Sequence, residues 1–233
     1  VLSAGTTQSG NTGPVLLNNP YTVTLSAFLW SMVSTLIIFM LARFRGATPE
    51  VMILTGIILG SLFTAGITAL QYFADDIEIS SVVFWTFGDI GRASWRDFSI
   101  LVVVVLLAMI IFLKNRWNYN ALDAGDEMAK SLGVNVQQTR LTGMITASLA
   151  TAIAVSFFGI IAFVGLVVPH IVRRVIGGDE RFLIPVSALF GGMFLLVSDT
   201  VARTIIAPVV LPVGILTSFL GAPLFLYLLI RGI

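Results

Sequence analysis

Two charged residues lie where charge is expensive. In "FLLVSDTVARTII", Asp199 and Arg203 stand four residues apart, on one helical face. A carboxylate inside an apolar, membrane-length run is normally paired or functional. One reading is an intrahelical ion pair near the external interface. The other is a proton- or ion-relay carboxylate of a secondary transporter. The only histidine, His170, directly follows Pro169. A lone histidine without cysteine, histidine or carboxylate neighbours is a poor metal site. Pro169, His170 and Asp199 therefore read as structural residues. No G-x-x-x-x-G-K-[ST] loop is present, so a nucleotide would have to be hydrolysed by another chain. No nucleophile–base pair appears, and without cysteine there are no disulfides, iron–sulfur clusters or thiolate sites. These residues predict neither an enzyme, nor a cofactor, nor a resident metal.

A second group lies in "ALDAGDEMAKSLGVNVQQTRL", Ala121 to Leu141. Asp126 and Lys130 have the spacing of an ion pair. Met128 and Leu132 share a face, and Gly133 is a stop for a short helix. On pattern alone this is a solvated amphipathic segment. The acidic run Asp75, Asp76 and Glu78 is a solvated turn or a cation-attracting mouth. Pro49 and Glu50 suit the first turn of a helix.

These residues need elements to hold them, and composition names the kind. The chain has 233 residues, 57% hydrophobic and only 11% charged, with a net charge of +1. Soluble domains run near 25% charged, and the mean hydropathy here is +1.00. The bilayer is therefore the solvent, and no global field suggests nucleic acid as a partner. The fold class expected is all-α, a polytopic transmembrane bundle of about seven crossings with short re-entrant or interfacial helices. Residues 1–20 read as a polar external loop without the pattern of a signal peptide. Residues 21–233 read as the membrane domain, with a polar cytoplasmic segment at 118–140.

A crossing helix needs about 20 apolar residues. Thr22–Ala42, Val51–Phe73, Trp95–Leu113, Leu141–Ile161, Leu183–Ala207 and Val213–Ile230 qualify. Ser80–Phe87 is too short. Leu166–Ile176 spans only about 16 Å as a helix, with Gly159, Gly165 and Pro169 marking breaks before and within it. Counted as a crossing, it places ten of the 13 basic residues on one side and Arg92, Arg96 and Arg203 on the other. That bias predicts a cytoplasmic C-terminus. The turn "RRVIGGDER" is then cytoplasmic and tight, with Arg173 and Arg174 closing one helix and Asp179 and Glu180 opening the next. Gly56, Gly60 and Gly66 on one helix read as close packing.

Several ordered motifs carry a family likeness. They are "ILTGIILGSLFTA", "FWTFGDIGRASW", "NALDAGDEMAKSLGVNV", "GIIAFVGLVVPHIVRRVIGGDERFLIPVSALFGG", "SDTVARTI" and "LPVGILTSFLGAPLFLYLLIR". From about Pro20 onward the chain resembles the FecCD-type permeases, membrane subunits of type II ABC importers for iron–siderophore complexes, haem and cobalamin. The resemblance implies a multi-pass protein of the inner or plasma membrane, working as a homodimer with two ATPase subunits and a substrate-binding protein. It assigns Asp126, Glu127, Met128, Lys130, Leu132 and Gly133 to coupling with the ATPase. It assigns Arg203 to docking of the binding protein. It puts Pro49 and Glu50 at a cytoplasmic gate, and Gly56, Gly60, Ser61 and Thr64 along the pore. Members usually have ten membrane helices, and this chain matches the last seven. It is expected to be a piece of a longer protein or a truncated product. The alternatives are a secondary transporter that uses Asp199 and a non-transporting scaffold.

Overall fold

The computed structural model describes residues 20–45 and 48–230. Residues 1–19, Gly46, Ala47 and residues 231–233 fall outside it, and with them the expected N-terminal loop and part of "RGATPE". The described residues form helices: α1 (Pro20–Arg45), α2 (Pro49–Tyr72), α3 (Asp76–Thr86), α4 (Trp95–Asp123), α5 (Asp126–Ser131), α6 (Val136–Phe158), α7 (Val164–Ile176), α8 (Glu180–Thr204) and α9 (Val213–Ile230). Five of these, α1, α2, α4, α6 and α8, are long and apolar enough to cross a membrane. α9, with 18 residues, reaches about 27 Å, and α7, with 13, about 20 Å. Leucine, isoleucine and phenylalanine side chains stay exposed along α1, α2 and α4. That surface fits hydrocarbon, not water.

Local chemistry sets the helix starts. Thr48 caps α2, its hydroxyl accepting from the Val51 N–H, and Pro49 opens the helix. Ser94 and Asp97 form a reciprocal capping box on α4. Asp179 caps α8.

One expectation is corrected. Gly165 and Pro169 do not interrupt the backbone, because α7 runs through both. Pro169 is the sixth residue of the helix, so its ring displaces only a first-turn bond, to Gly165. The break lies before α7, where Gly159 and Phe163 both have positive φ. The 118–140 segment holds the end of α4, all of α5 and the start of α6. α4 continues to Asp123, because its last turns have a partner in this chain, described below.

By packing, the chain divides into two units. One comprises the described residues up to Thr86 together with Arg140–Phe157, and in it α1 packs on α2. The other comprises Phe87–Thr139 and the described residues from Phe158 onward. In this second unit α8 is the hub, packing against α4, α7 and α9. Its core is Val168 and Val172 of α7 with Leu183 of α8, flanked by Phe190 and Phe194.

Within the second unit, three non-helical stretches meet. The Gly88 carbonyl accepts the Gly214 N–H at 2.9 Å, and the Asp89 N–H donates to the Phe158 carbonyl at 2.9 Å. Phe87 pairs with Ile160 in a short parallel bridge. Backbone without helix is tolerated at membrane depth only when protein satisfies it in this way. A Cβ on Gly88 would run into the Ile160 carbonyl oxygen, so this contact requires glycine.

Candidate functional site

The α5 segment lies in the second unit, joined to α4 by Ala124 and Gly125. Ala129 is completely buried, and Met128 and Leu132 are exposed. The helix ends where Gly133 adopts a φ of 81°. The Val134 N–H then reaches back to the Ala129 carbonyl at 2.9 Å, and the Gly133 N–H to that of Lys130 at 3.0 Å. This paired closure is one that glycine favours. The result is a rigid, one-and-a-half-turn helix that offers two apolar side chains outward. Asp126 and Glu127 sit in its first turn and Lys130 in its last.

Beside it, the expected tight turn is present. Gly177 has a φ of 90°, and Asp179 begins α8 two residues later. The Arg173 guanidinium spans two carboxylates, Nη1 to Asp123 at 3.1 Å and Nη2 to Glu180 at 2.8 Å. Asn120 donates to the Asp179 carboxylate at 3.1 Å and accepts the Glu180 N–H at 2.8 Å. Arg181 lies 4.7 Å above the Trp117 ring and donates to Asp179 at 2.8 Å. Hydrogen bonds from the Arg181 side chain, the Arg181 backbone N–H and Asn120 hold the Asp179 carboxyl well below the usual carboxylate range. Asp179 is therefore ionised at every pH above its ordinary value. Its contribution to the turn is complete there and is lost only on strong acidification. Asn120 and Asp123 are partners of the turn's charges that sequence reasoning missed. They lie 50 to 60 residues away in the chain, and no local pattern points to them.

At the other end of α8, Arg203 donates to Asp199 at 2.7 Å. The Asp89 carboxylate adds a favourable charge, and the Arg203 guanidinium lies over Gly91. The Arg203 side chain is 44% exposed, so one face remains open. His170 stacks on Phe225 of α9 with ring centroids 6.1 Å apart. No group of three or more potential metal-ligating side chains occurs among the described residues. Asp75 donates its N–H to Glu78 at 3.3 Å, closing the turn into α3.

In the first unit, α2 presents an open groove of about 880 Å³. Gly60, Ser61 and Thr64 line it, joined by Thr68 and Tyr72, which sequence reasoning did not select. Those two continue the same helical stripe, so the 3.6-residue period could have found them. The hydroxyls of Ser61, Thr64 and Thr68 each donate to the carbonyl four residues back, at 2.9–3.0 Å. Those three protons are used within the helix, so the wall shows hydroxyl oxygens, methyl groups and the Tyr72 phenol, and no charge. The expected close packing of Gly56, Gly60 and Gly66 is not found. A Cβ on any of them meets nothing within 4 Å among the described residues.

The described residues thus form a set of helices, five of them long and apolar enough to cross a membrane, with a broken, backbone-satisfied node in the second unit. The chain belongs to the FecCD transport family, whose model matches residues 8–231. It is 59% identical over 221 residues to a protein of Methanocaldococcus jannaschii named as an ABC transporter permease, covering 95% of this chain and 63% of that one. It is 39% identical over 211 residues to the hemin transport system permease HmuU of Yersinia pestis, covering 91% of this chain and 63% of that one. The chain thus spans just under two thirds of the length of these relatives. Among solved structures, an inward-facing metal-chelate type ABC transporter matches with a TM-score of 0.75 and 30% identity, over 92% of this chain and 76% of that one.

Proposed function

We propose that this chain forms the membrane-spanning part of a permease subunit in an ATP-driven importer for a metal chelate of the iron–siderophore, haem or cobalamin kind. It works by alternating access and does no covalent chemistry on its cargo. Two ATPase subunits, a substrate-binding protein and a second permease copy complete the machine. The C-terminus and the α7–α8 turn are cytoplasmic, which makes α7 and α9 crossings in addition to the five long helices. Arg203, with one face open, offers a cation to acidic groups of the binding protein. The uncharged α2 groove forms half of the path, with Pro49 and Glu50 at its inner gate. A wall with few strong hydrogen-bonding groups suits a large cargo that must pass without being held.

The observation that carries this reading is α5. A short, rigidly closed helix with a buried alanine below and exposed Met128 and Leu132 above is built to enter a groove on another protein. A secondary transporter needs no such dock. Met128→Asp or Leu132→Asp should abolish co-purification of the ATPase while leaving the permease in the membrane. Loss of a buried apolar anchor weakens an interface by on the order of 2 kcal/mol, more than tenfold in affinity. Unchanged co-purification would remove the docking role.

A further inference from the structure

The fold leaves open how a movement of α5 would reach the rest of the permease. We infer that Arg173 is a positioning residue that latches the end of α4, and with it α5, to the start of α8. This inference rests on the docking role proposed for α5.

Three side chains on one face of the last α4 turns, Trp117, Asn120 and Asp123, all engage the α7–α8 turn. Trp117 lies under Arg181, 4.7 Å from its guanidinium carbon. Asn120 uses both atoms of its amide, one on Asp179 and one on the Glu180 N–H. Asp123 takes one arm of the Arg173 fork, and Glu180 takes the other. Asp123 is the last residue of α4, and Glu180 is the first of α8. Arg173 itself is in the last turns of α7. One guanidinium therefore ties the ends of three helices, and only two residues separate its α4 partner from α5.

The strength of the latch suits movement better than bracing. The side chains of Arg173 and Asp123 are 41% and 43% exposed, and ion pairs this wet add little to folding stability. Glu180 is the more enclosed partner, at 14%. The α7–α8 arm is thus the firmer one and the α4 arm the looser. An arginine is required because its planar fork serves two carboxylates at once, whereas a lysine ammonium is a single point charge. From the latch, the 25-residue α8 runs to its last turns, which carry the Asp199–Arg203 pair. A displacement of α5 enters α8 at its first turn and is carried along that helix.

The chain has no cysteine, so spin labels can be placed at will. Cysteines replace Ala124, exposed between α4 and α5, and Leu189, exposed on α8. The permease, purified with a cysteine-free ATPase partner, is measured by pulsed spin-resonance distances without nucleotide and after trapping with ATP and vanadate. With Arg173 intact, the distance should be narrowly distributed in both states. In Arg173→Gln the distribution should broaden at least twofold, while the ATPase still co-purifies. Arg173→Lys should fall between the two. Asp123→Asn cuts only the α4 arm and serves if Arg173→Gln fails to insert; it should broaden the distribution as well. Unchanged width in Arg173→Gln and Asp123→Asn overturns the latch and leaves the docking role of α5 standing. A lower melting temperature with unchanged width makes the cluster a brace and also overturns it. Failure of the ATPase to co-purify with unsubstituted permease removes the docking role instead, while the width measured without nucleotide still decides the latch.

Discussion

Replacing Gly214 with alanine tests the backbone node where Gly88, Ile160 and the start of α9 meet. Helix propensity alone favours the change, by up to about 1 kcal/mol. The tertiary structure demands the opposite sign. A Cβ at Gly214 would stand 2.6 Å from the Ile160 carbonyl oxygen, 3.0 Å from the Gly88 nitrogen and 3.2 Å from its Cα. All three obstacles are backbone, so no side chain can swing aside. Separating these backbone segments by the missing distance costs about 1–3 kcal/mol as overpacking. It also pulls on the 2.9 Å bond between the Gly214 N–H and the Gly88 carbonyl. Leaving that buried pair unmet adds about 1–3 kcal/mol. The expected net destabilisation is about 2–5 kcal/mol. Gly56→Ala is the control, because a Cβ there meets nothing within 4 Å among the described residues and α2 should gain up to about 1 kcal/mol. The assay is unfolding of both variants in detergent, followed by tryptophan fluorescence. A Gly214→Ala protein as stable as the parent, or a Gly56→Ala protein equally destabilised, would refute the reasoning.

Asp199→Asn and Arg203→Gln, made singly and together, should yield a coupling of only about 0.2–1 kcal/mol in a double-mutant cycle, because the arginine is 44% exposed. A coupling several times larger, or ATP-independent uptake abolished by Asp199→Asn, would favour the relay reading instead. Gly221→Ala should destabilise the chain, because the added methyl meets the Phe163 ring carbon Cγ at 2.8 Å and Phe163 is already held at a positive φ; a neutral result in a thermal melt would contradict this. A cysteine at Gly178 should react with an impermeant thiol reagent from the cytoplasmic side only, and labelling from outside would overturn the orientation.

Much of the molecule was legible before any coordinates. Hydropathy over 20 residues located the long spans, because a helix in hydrocarbon must be apolar along its length. Short-range spacing predicted what a single helix can settle by itself. Asp199 and Arg203 pair because four residues make one turn, Gly133 ends α5, and Pro49 opens α2. The motifs brought the family with them. The tertiary structure alone decided which contacts join distant stretches. Asn120 and Asp123 look like solvated residues at a helix end until the α7–α8 turn comes beside them, since polarity records the need for a partner and not its address. Gly56 and Gly214 look alike in sequence, yet among the described residues a Cβ on the first meets nothing within 4 Å and one on the second is pressed against two backbones. A glycine states only that a side chain is absent, and what occupies the room depends on which segments the fold brings together.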